Sequence, residues 1–442
     1  MHAAHRPLLV AVALAFALAL AAGAGAGEAK QAPGIPVLPP SGNRGLRADY
    51  HCQTGLPGYS YNVCAKHIDP ERPAGIYLYF PGEGARTENA WFGLWDASTL
   101  QPYHLIGINM AFADGQNGRD TAGKIEAARI AIGQCCADYK VVLGRGVIAC
   151  FSGGGVPTGQ WFAEHGPRRD AKGDPALAWR AFPFNQLALF SANYREGVSH
   201  GDPRLGWFIS VGTLEWSLAA LGQTQVNVAH DLARAGVVDT RLMIPAKEHV
   251  ITDPEPAAVA EQFARTDVLI APFLYEPDWS LPAAQRVARM ANAQAIGAAL
   301  DAVDKALAKK SLADDERTAL ADLRERVVAR ADDKAALIER LATSDPVLAA
   351  IDGKLVLGQL GKCEQGKRVG ETLAALGKTN AAKAAAQAHE AFNGIFPTLF
   401  TASPTLTPEQ KQTIDRIAAL GPPSALASTM AAEYATLPIA GR

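Results

Sequence analysis

The sequence predicts an α/β fold, with a mostly parallel sheet flanked by helices and an all-helical C-terminal region. Three observations support this prediction. Between residues 46 and 280, short apolar runs alternate with helical segments, as in parallel sheets covered on both faces. The apolar runs have strand length and are bounded by Gly or Pro. From residue 281 onward, Ala, Leu and charged residues dominate, and apolar residues recur at the 3.6-residue helical period.

The composition is that of an ordinary globular protein. The chain has 442 residues, of which 48% are hydrophobic and 19% are charged, and its formal net charge is −2. This length is sufficient for two domains with sizeable cores. Without a basic excess or a basic stripe, no nucleic-acid partner is expected. The Cys spacings fit no zinc pattern, so we expect neither a metal nor a cofactor.

The N-terminus predicts a signal peptide over residues 1–26. A short basic start precedes an uninterrupted apolar run at residues 8–22, and small residues suited to cleavage follow it. The run is short for a membrane span. We therefore expect export to the periplasm or the extracellular space, without membrane association after cleavage. Residues 27–45 are rich in Pro and Gly and predict an extended lead-in.

The elements follow in chain order across two predicted domains, residues 46–280 and 281–442. Strands are predicted within residues 46–67 (two of them) and at residues 75–80, 105–113, 147–151, 186–191, 205–212 and 240–245. Helices are predicted from about residue 120 to 139, from about residue 156 with Pro157 in the first turn, at 226–235 and at about 256–264. In the second region, Thr407-Pro408-Glu409-Gln410 is a typical helix start.

Residues 144–159 hold the most informative motif. An apolar run ends at Phe151, and Ser152 and three consecutive glycines follow before a predicted helix. This arrangement predicts a nucleophile elbow, in which a sharp strand-to-helix turn pushes the serine hydroxyl out of the sheet. The motif reads C-F-S-G-G instead of G-x-S-x-G, so Cys150 takes the position of the first glycine.

The glycines also allow other interpretations. A glycine-rich turn that only packs a helix on a strand explains the glycines without using Ser152. A phosphate loop fits worse, because no Gly-Lys-Ser/Thr follows. A dinucleotide fingerprint fits poorly as well, since the glycines are contiguous.

The base and the orienting acid should follow later strands, because the carboxyl ends of parallel strands meet at one edge of the sheet. His249 follows the last predicted strand, and Glu215 follows the strand before it. We therefore predict a triad of Ser152, His249 and Glu215. Alternative bases are His200 and His230, and alternative acids are Asp202 and Asp231.

Two backbone N–H groups are candidates for an oxyanion hole. The N–H of Gly153 directly follows the predicted nucleophile, at the start of a helix whose dipole favours negative charge. The segment Gly82-Glu83-Gly84 follows the early strand, and we expect the N–H of Glu83 to be the second donor. A plain tight turn is the alternative for that segment.

On these residues, over about 46–264, the chain resembles the α/β-hydrolase superfamily. It is most similar to secreted esterase and depolymerase-like members, such as polyhydroxybutyrate depolymerases, feruloyl and acetyl xylan esterases and dienelactone hydrolase relatives. The resemblance implies an eight-stranded, mostly parallel sheet and hydrolysis through an acyl-enzyme. It departs from the family at Cys150 and at Pro81, which replaces the histidine usual before the oxyanion glycine.

The expected function is therefore a secreted serine ester hydrolase acting on a small-molecule or polymer ester. The same resemblance leaves a serine peptidase open. An alternative of another class is a non-catalytic exported binding protein on the same scaffold, with protein contacts through the helical region. The two departures from the family pattern motivate that alternative.

Two further expectations concern aromatic residues and cysteines. Trp161 and Trp179 lie in an insertion at residues 160–183, which we expect to line or cover the substrate pocket. A structural satellite core is the alternative. Cys52 and Cys64 flank a Gly- and Pro-containing turn and are the predicted disulfide, whereas the pairing of Cys135, Cys136, Cys150 and Cys363 is left open.

Overall fold

The structure is a computed structural model, and it describes most of the chain. The described residues are 34–41, 49–82, 97–112, 120–168, 179–194, 205–217, 221–235, 240–400, 403–420 and 425–440. The predicted signal peptide and Glu83 lie outside them, as do His200 and Asp202. Residues 34–442 form one compact unit, to which all of the following belongs.

An eight-stranded sheet organises the first part of this unit. Its strands are β1 (Tyr50–Gln53), β2 (Tyr59–Cys64), β3 (Ala74–Phe80), β4 (Leu105–Phe112), β5 (Val141–Phe151), β6 (Gln186–Phe190), β7 (Gly206–Ser210) and β8 (Thr240–Met243). The order across the sheet is β1-β2-β4-β3-β5-β6-β7-β8. Strand β2 is antiparallel to both of its neighbours, and all other pairs are parallel. The mostly parallel sheet predicted from the sequence is confirmed.

The central strands are buried on both faces. In β3, Ile76 and Leu78 pack into one hydrophobic cluster, whereas Tyr77 and Tyr79 pack into the cluster on the opposite face. Side chains alternate along a strand, so two covered faces require a continuous apolar run rather than an alternating one. This explains why the sequence signal was a set of short apolar runs.

Helices cover the sheet and make up the second part of the unit. They are α1 (Ala97–Leu100), α2 (Thr121–Asp138), α3 (Gly155–His165), α4 (Leu221–Arg234), α5 (Pro254–Ile270), α6 (Pro282–Asn292), α7 (Ile296–Leu307), α8 (Asp314–Ser344), α9 (Pro346–Leu360), α10 (Glu364–Leu376), α11 (Asn380–Ile395), α12 (Pro408–Ala418) and α13 (Ala425–Ala435). The capping box predicted at Thr407 forms at the start of α12. The change in composition at residue 281 coincides with the start of α6.

The helical region packs directly against the sheet part. From α8, the Lys334 ammonium donates to the carbonyls of Val268 and Leu269 at the end of α5, at 2.7 and 2.8 Å. From α13, the buried Tyr434 hydroxyl donates to the Leu242 carbonyl of β8 at 2.9 Å. These contacts join the two regions into a common interior.

The predicted Cys52–Cys64 disulfide is corrected by the structure, in which both residues are free thiols. Cys52 stands opposite Tyr61 in the β1–β2 ladder, and both pack against the same cluster. Cys64 comes three residues after Tyr61, so the strand alternation turns it to the other face. The two sulfur atoms therefore lie on opposite sides of the sheet.

Candidate active site

Ser152 stands at the carboxyl end of β5 in a left-handed backbone conformation. Its φ is +50°, and it begins a short 3₁₀ turn that leads into α3. A non-glycine residue seldom adopts this conformation, which costs on the order of 1–3 kcal/mol and clusters at functional sites. The Asn193 N–H donates to the Ser152 carbonyl at 2.7 Å and helps to hold the turn. The sharp strand-to-helix turn predicted at Ser152 is therefore present.

The glycines around the elbow permit close backbone approach. A Cβ on Gly154 would lie 2.3 Å from the Phe80 carbonyl oxygen, which no side chain tolerates. A Cβ on Gly82 would lie 3.0 Å from the Cβ of Ser152, so the segment after β3 rests against the serine. Gly82 immediately precedes Glu83, whose N–H remains a predicted oxyanion donor.

Cys150 fills the position of the missing first glycine. It is fully buried, and burial raises the pKa of its thiol to about 12. The thiol is therefore protonated near neutral pH and is not a competing nucleophile.

Glu215 is held at the end of β7 by hydrogen bonds. It lies on a 3₁₀ turn (Thr213–Ser217) and is fully buried. One carboxylate oxygen accepts from the Ser191 hydroxyl at 2.6 Å and from the Gly212 N–H at 3.4 Å. The other oxygen lies 3.5 Å from Nδ1 of His249. A carboxylate on Nδ1 fixes the tautomer that leaves Nε2 free to accept a proton.

His249 reaches back from the loop after β8 to the end of β5. Its ring packs against Phe151, the residue before Ser152, with the ring centroids 4.6 Å apart. Among the described residues no hydrogen bond joins His249 to the Ser152 hydroxyl. The structure thus places the three predicted residues at one edge of the sheet, with the acid–base pair in contact.

The alternative acid and base that the structure describes serve other roles. His230 lies in α4, is 2% exposed and packs edge-on against Phe396 of the helical region. Asp231 pairs with Arg234 on the surface of the same helix at 2.9 Å.

The structure places Trp161 and Trp179 away from the serine, which corrects the pocket expectation. Trp161 is fully buried among Phe182 and Phe184, and its indole N–H donates to a backbone carbonyl. Trp179 packs on Gly144 and lines a cavity of about 350 Å³ near the start of β5. Because β5 spans Val141–Phe151, that cavity lies a strand's length, roughly 30 Å, from the elbow. Trp161 therefore belongs to a structural satellite core, which was the alternative to a pocket role.

Sequence reasoning missed Ser191, the hydroxyl partner of Glu215. The available signal was its position, directly after β6 and hence at the same carboxyl edge.

The described residues contain neither a candidate membrane span nor a candidate metal site. No helix among them is both long and apolar enough to span a bilayer. Nor do they contain a group of three or more His, Cys, Asp or Glu arranged to hold a metal ion.

Comparisons with known proteins assign no family to the chain. No protein-family model matches it. No curated protein matches it either.

Solved structures match over about half of the chain. A bifunctional GH43-CE protein of Bacteroides eggerthii is 14% identical over 50% of this chain and 38% of its own, with a TM-score of 0.35. Prolyl oligopeptidase B from Galerina marginata is 10% identical over 50% and 35%, with a TM-score of 0.32. A thermophilic esterase from Thermogutta terrifontis is 11% identical over 54% and 91%, with a TM-score of 0.30. The chain thus spans well under half the length of the first two, and likeness at this level establishes no activity.

Proposed function

We propose that this protein is a serine hydrolase that cleaves carboxylic esters through an acyl-enzyme. One observation carries the proposal. Ser152 occupies a left-handed elbow at the end of β5, and a Glu215–His249 pair stands at the same sheet edge, with His249 packed on Phe151. This arrangement supplies a nucleophile, a base and a group that orients the base.

Acylation follows from these positions. The Ser152 hydroxyl oxygen attacks the ester carbonyl carbon while Nε2 of His249 takes the hydroxyl proton. Glu215 stabilises the resulting imidazolium, and the Gly153 N–H donates to the oxyanion, with Glu83 as the proposed second donor. When the tetrahedral intermediate collapses, the carbon–oxygen bond to the leaving alcohol breaks, and the alcohol takes the proton from His249.

Deacylation repeats the same steps with water. His249 takes a proton from a water molecule, whose oxygen attacks the acyl carbon. The bond to Ser152 breaks, the serine oxygen regains its proton from His249, and the carboxylic acid leaves.

The ester class follows from the resemblance of the elbow and of the segment after β3 to esterases. A small-molecule or a polymer ester would react by the same steps. A peptidase would use the same three residues, so ester and peptide substrates of matched acyl groups separate these two activities.

A fluorophosphonate probe tests the proposal directly. We expect the probe to label wild-type protein and not Ser152→Ala, because phosphonylation requires the activated hydroxyl. The exposed Ser344 at the end of α8 provides a matched control, and Ser344→Ala should label like wild type. Folded wild-type protein that resists the probe and cleaves no ester would contradict the proposal and favour the non-catalytic binding protein.

A further inference from the structure

The loop that carries His249 has little regular structure of its own. It connects β8 to α5, and backbone hydrogen bonds tie only its first part to the turn that holds Glu215. The Thr213 N–H donates to the Pro245 carbonyl at 2.9 Å, and the Leu214 N–H donates to the Lys247 carbonyl at 3.3 Å. Beyond Lys247 no further backbone hydrogen bond to this turn is found among the described residues, so the position of the imidazole depends there on contacts made by side chains.

A buried ion pair encloses the His249 segment. Lys247 comes two residues before the histidine, and its ammonium donates to the Glu255 carboxylate at 2.6 Å. The two side chains are 3% and 0% exposed. The other Glu255 oxygen accepts from the backbone N–H and the hydroxyl of Thr252, at 2.5 and 2.7 Å. The Glu255 carboxylate is thus hydrogen-bonded to residues on both sides of His249 in the chain.

The energetics of this cluster favour a role in geometry over a role in stability. Removing two charges from water costs several kcal/mol per ion, and an apolar pair of similar volume is often as stable or more stable. A hydrogen-bonded ion pair has a preferred distance and angle, whereas the hydrophobic effect that holds an apolar pair is non-directional. Glu255 lies in the first turn of α5, where the helix dipole favours a carboxylate, so its own position is well defined.

We propose that Lys247, Glu255 and Thr252 form a clamp that positions His249 for proton transfer. The proposal rests on the proposed hydrolase function and deepens it. The three are positioning residues, since they act through the histidine. Without the clamp the imidazole keeps its chemistry but loses its fixed place beside Glu215 and Phe151. A displacement of about 1 Å at a reacting group can cost on the order of 10²-fold in rate.

The test uses the double variant Lys247→Met/Glu255→Leu in the full chain. Changing both partners avoids leaving one buried charge unpaired, which a single change would do. We expect near wild-type thermal stability, a fluorophosphonate labelling rate reduced by about 10²-fold, and a lower kcat with little change in KM. A variant that folds and labels at the wild-type rate overturns the proposal.

A matched control removes another ion pair from the same helix. Arg265 in α5 pairs with Asp352 of α9 at 3.2 Å, and both are mostly buried. Arg265→Met/Asp352→Leu should keep the wild-type labelling rate, because this pair faces the helical region. If this control slows labelling as much as the clamp variant does, the effect is general loosening of α5, and the proposal fails.

A spectroscopic measurement separates this proposal from the hydrolase proposal. NMR of the His249 ring nitrogens reports the tautomer and the hydrogen bond from Nδ1 to Glu215 without any catalysis. We expect that signature in wild type and its loss in the clamp double variant. Wild type with the signature but without labelling contradicts only the hydrolase function. An unchanged signature in the double variant contradicts the clamp.

Discussion

At the residue scale, Ser152 is strained where a glycine would not be. Its φ of +50° costs a side-chain-bearing residue free energy, and the neighbouring contacts of Gly154 and Asn193 hold it there. Selection for stability alone favours glycine in such a turn. A serine that keeps the conformation despite the cost is what a nucleophile elbow requires.

Glu215→Gln tests the orienting acid. The glutamine can still accept from the Ser191 hydroxyl, so the fold should persist, but it no longer stabilises an imidazolium or fixes its tautomer. We expect the labelling rate to fall by about 10³–10⁴-fold with little change in Tm. Asp231→Asn, at the alternative acid, should leave the rate unchanged. Equal rates for Glu215→Gln and wild type would exclude Glu215 from the triad.

The sequence was sufficient to place the three proposed triad residues at one sheet edge, because topology decides where they lie. Ser152, Glu215 and His249 each follow a parallel strand, and such strand ends meet at one edge whatever the details of packing. The clamp of Lys247 and Glu255 was not predictable, since nothing in a one-dimensional pattern shows which charged side chains become buried together. The Cys52–Cys64 prediction failed for a related reason: the face of each cysteine depends on a strand register that turn composition leaves open.

At the element scale, α4 meets the helical region through a buried histidine. His230 is 2% exposed and packs edge-on against Phe396, with the ring centroids 5.1 Å apart. Burial, reinforced by the nearby Arg234, lowers the pKa of His230 to about 4. The folded protein therefore holds this imidazole neutral in a pH range where an unfolded chain protonates it.

This contact predicts acid sensitivity. Because the folded pKa lies below the ordinary value of about 6.5, the stabilisation is complete above pH 6.5 and is lost as the pH falls through 4. The loss amounts to about 3 kcal/mol at most. Between pH 7 and pH 4, the unfolding free energy of His230→Gln should decrease less than that of wild type, and the difference should be about 3 kcal/mol. Urea denaturation across this range measures it, and parallel curves for the two proteins would refute the assignment.

At the scale of the whole molecule, the composition suggests two domains but the contacts suggest one cooperative unit. The ammonium of Lys334 is fully buried and caps carbonyls of α5, and Tyr434 hydrogen-bonds β8. Separating the regions would exchange these hydrogen bonds for bonds to water, at a net cost of roughly 0.5–1.5 kcal/mol each. The change in sequence character at residue 281 marks a change in secondary structure and does not show how the parts pack.

The tryptophans allow cooperative unfolding to be measured without dividing the chain. All seven lie between Trp91 and Trp279, in the first region. Because Trp279 packs on Arg326 of α8, fluorescence reports mainly on the first region and on its contact with α8. Far-UV circular dichroism at the helical band is dominated by the second region. We expect the two unfolding curves in urea to coincide, with one midpoint. Separated midpoints would show that residues 281–442 unfold independently.

Helix α5 is fixed at both of its tips. At the start of α5, Glu255 accepts a hydrogen bond from Lys247 of the His249 loop. At the end of α5, Lys334 of α8 donates to the last carbonyls of the helix. A helix of 17 residues is a stiff rod of about 25 Å. The C-terminal helices thus brace one end of this rod, and the opposite end carries the carboxylate that holds the His249 loop.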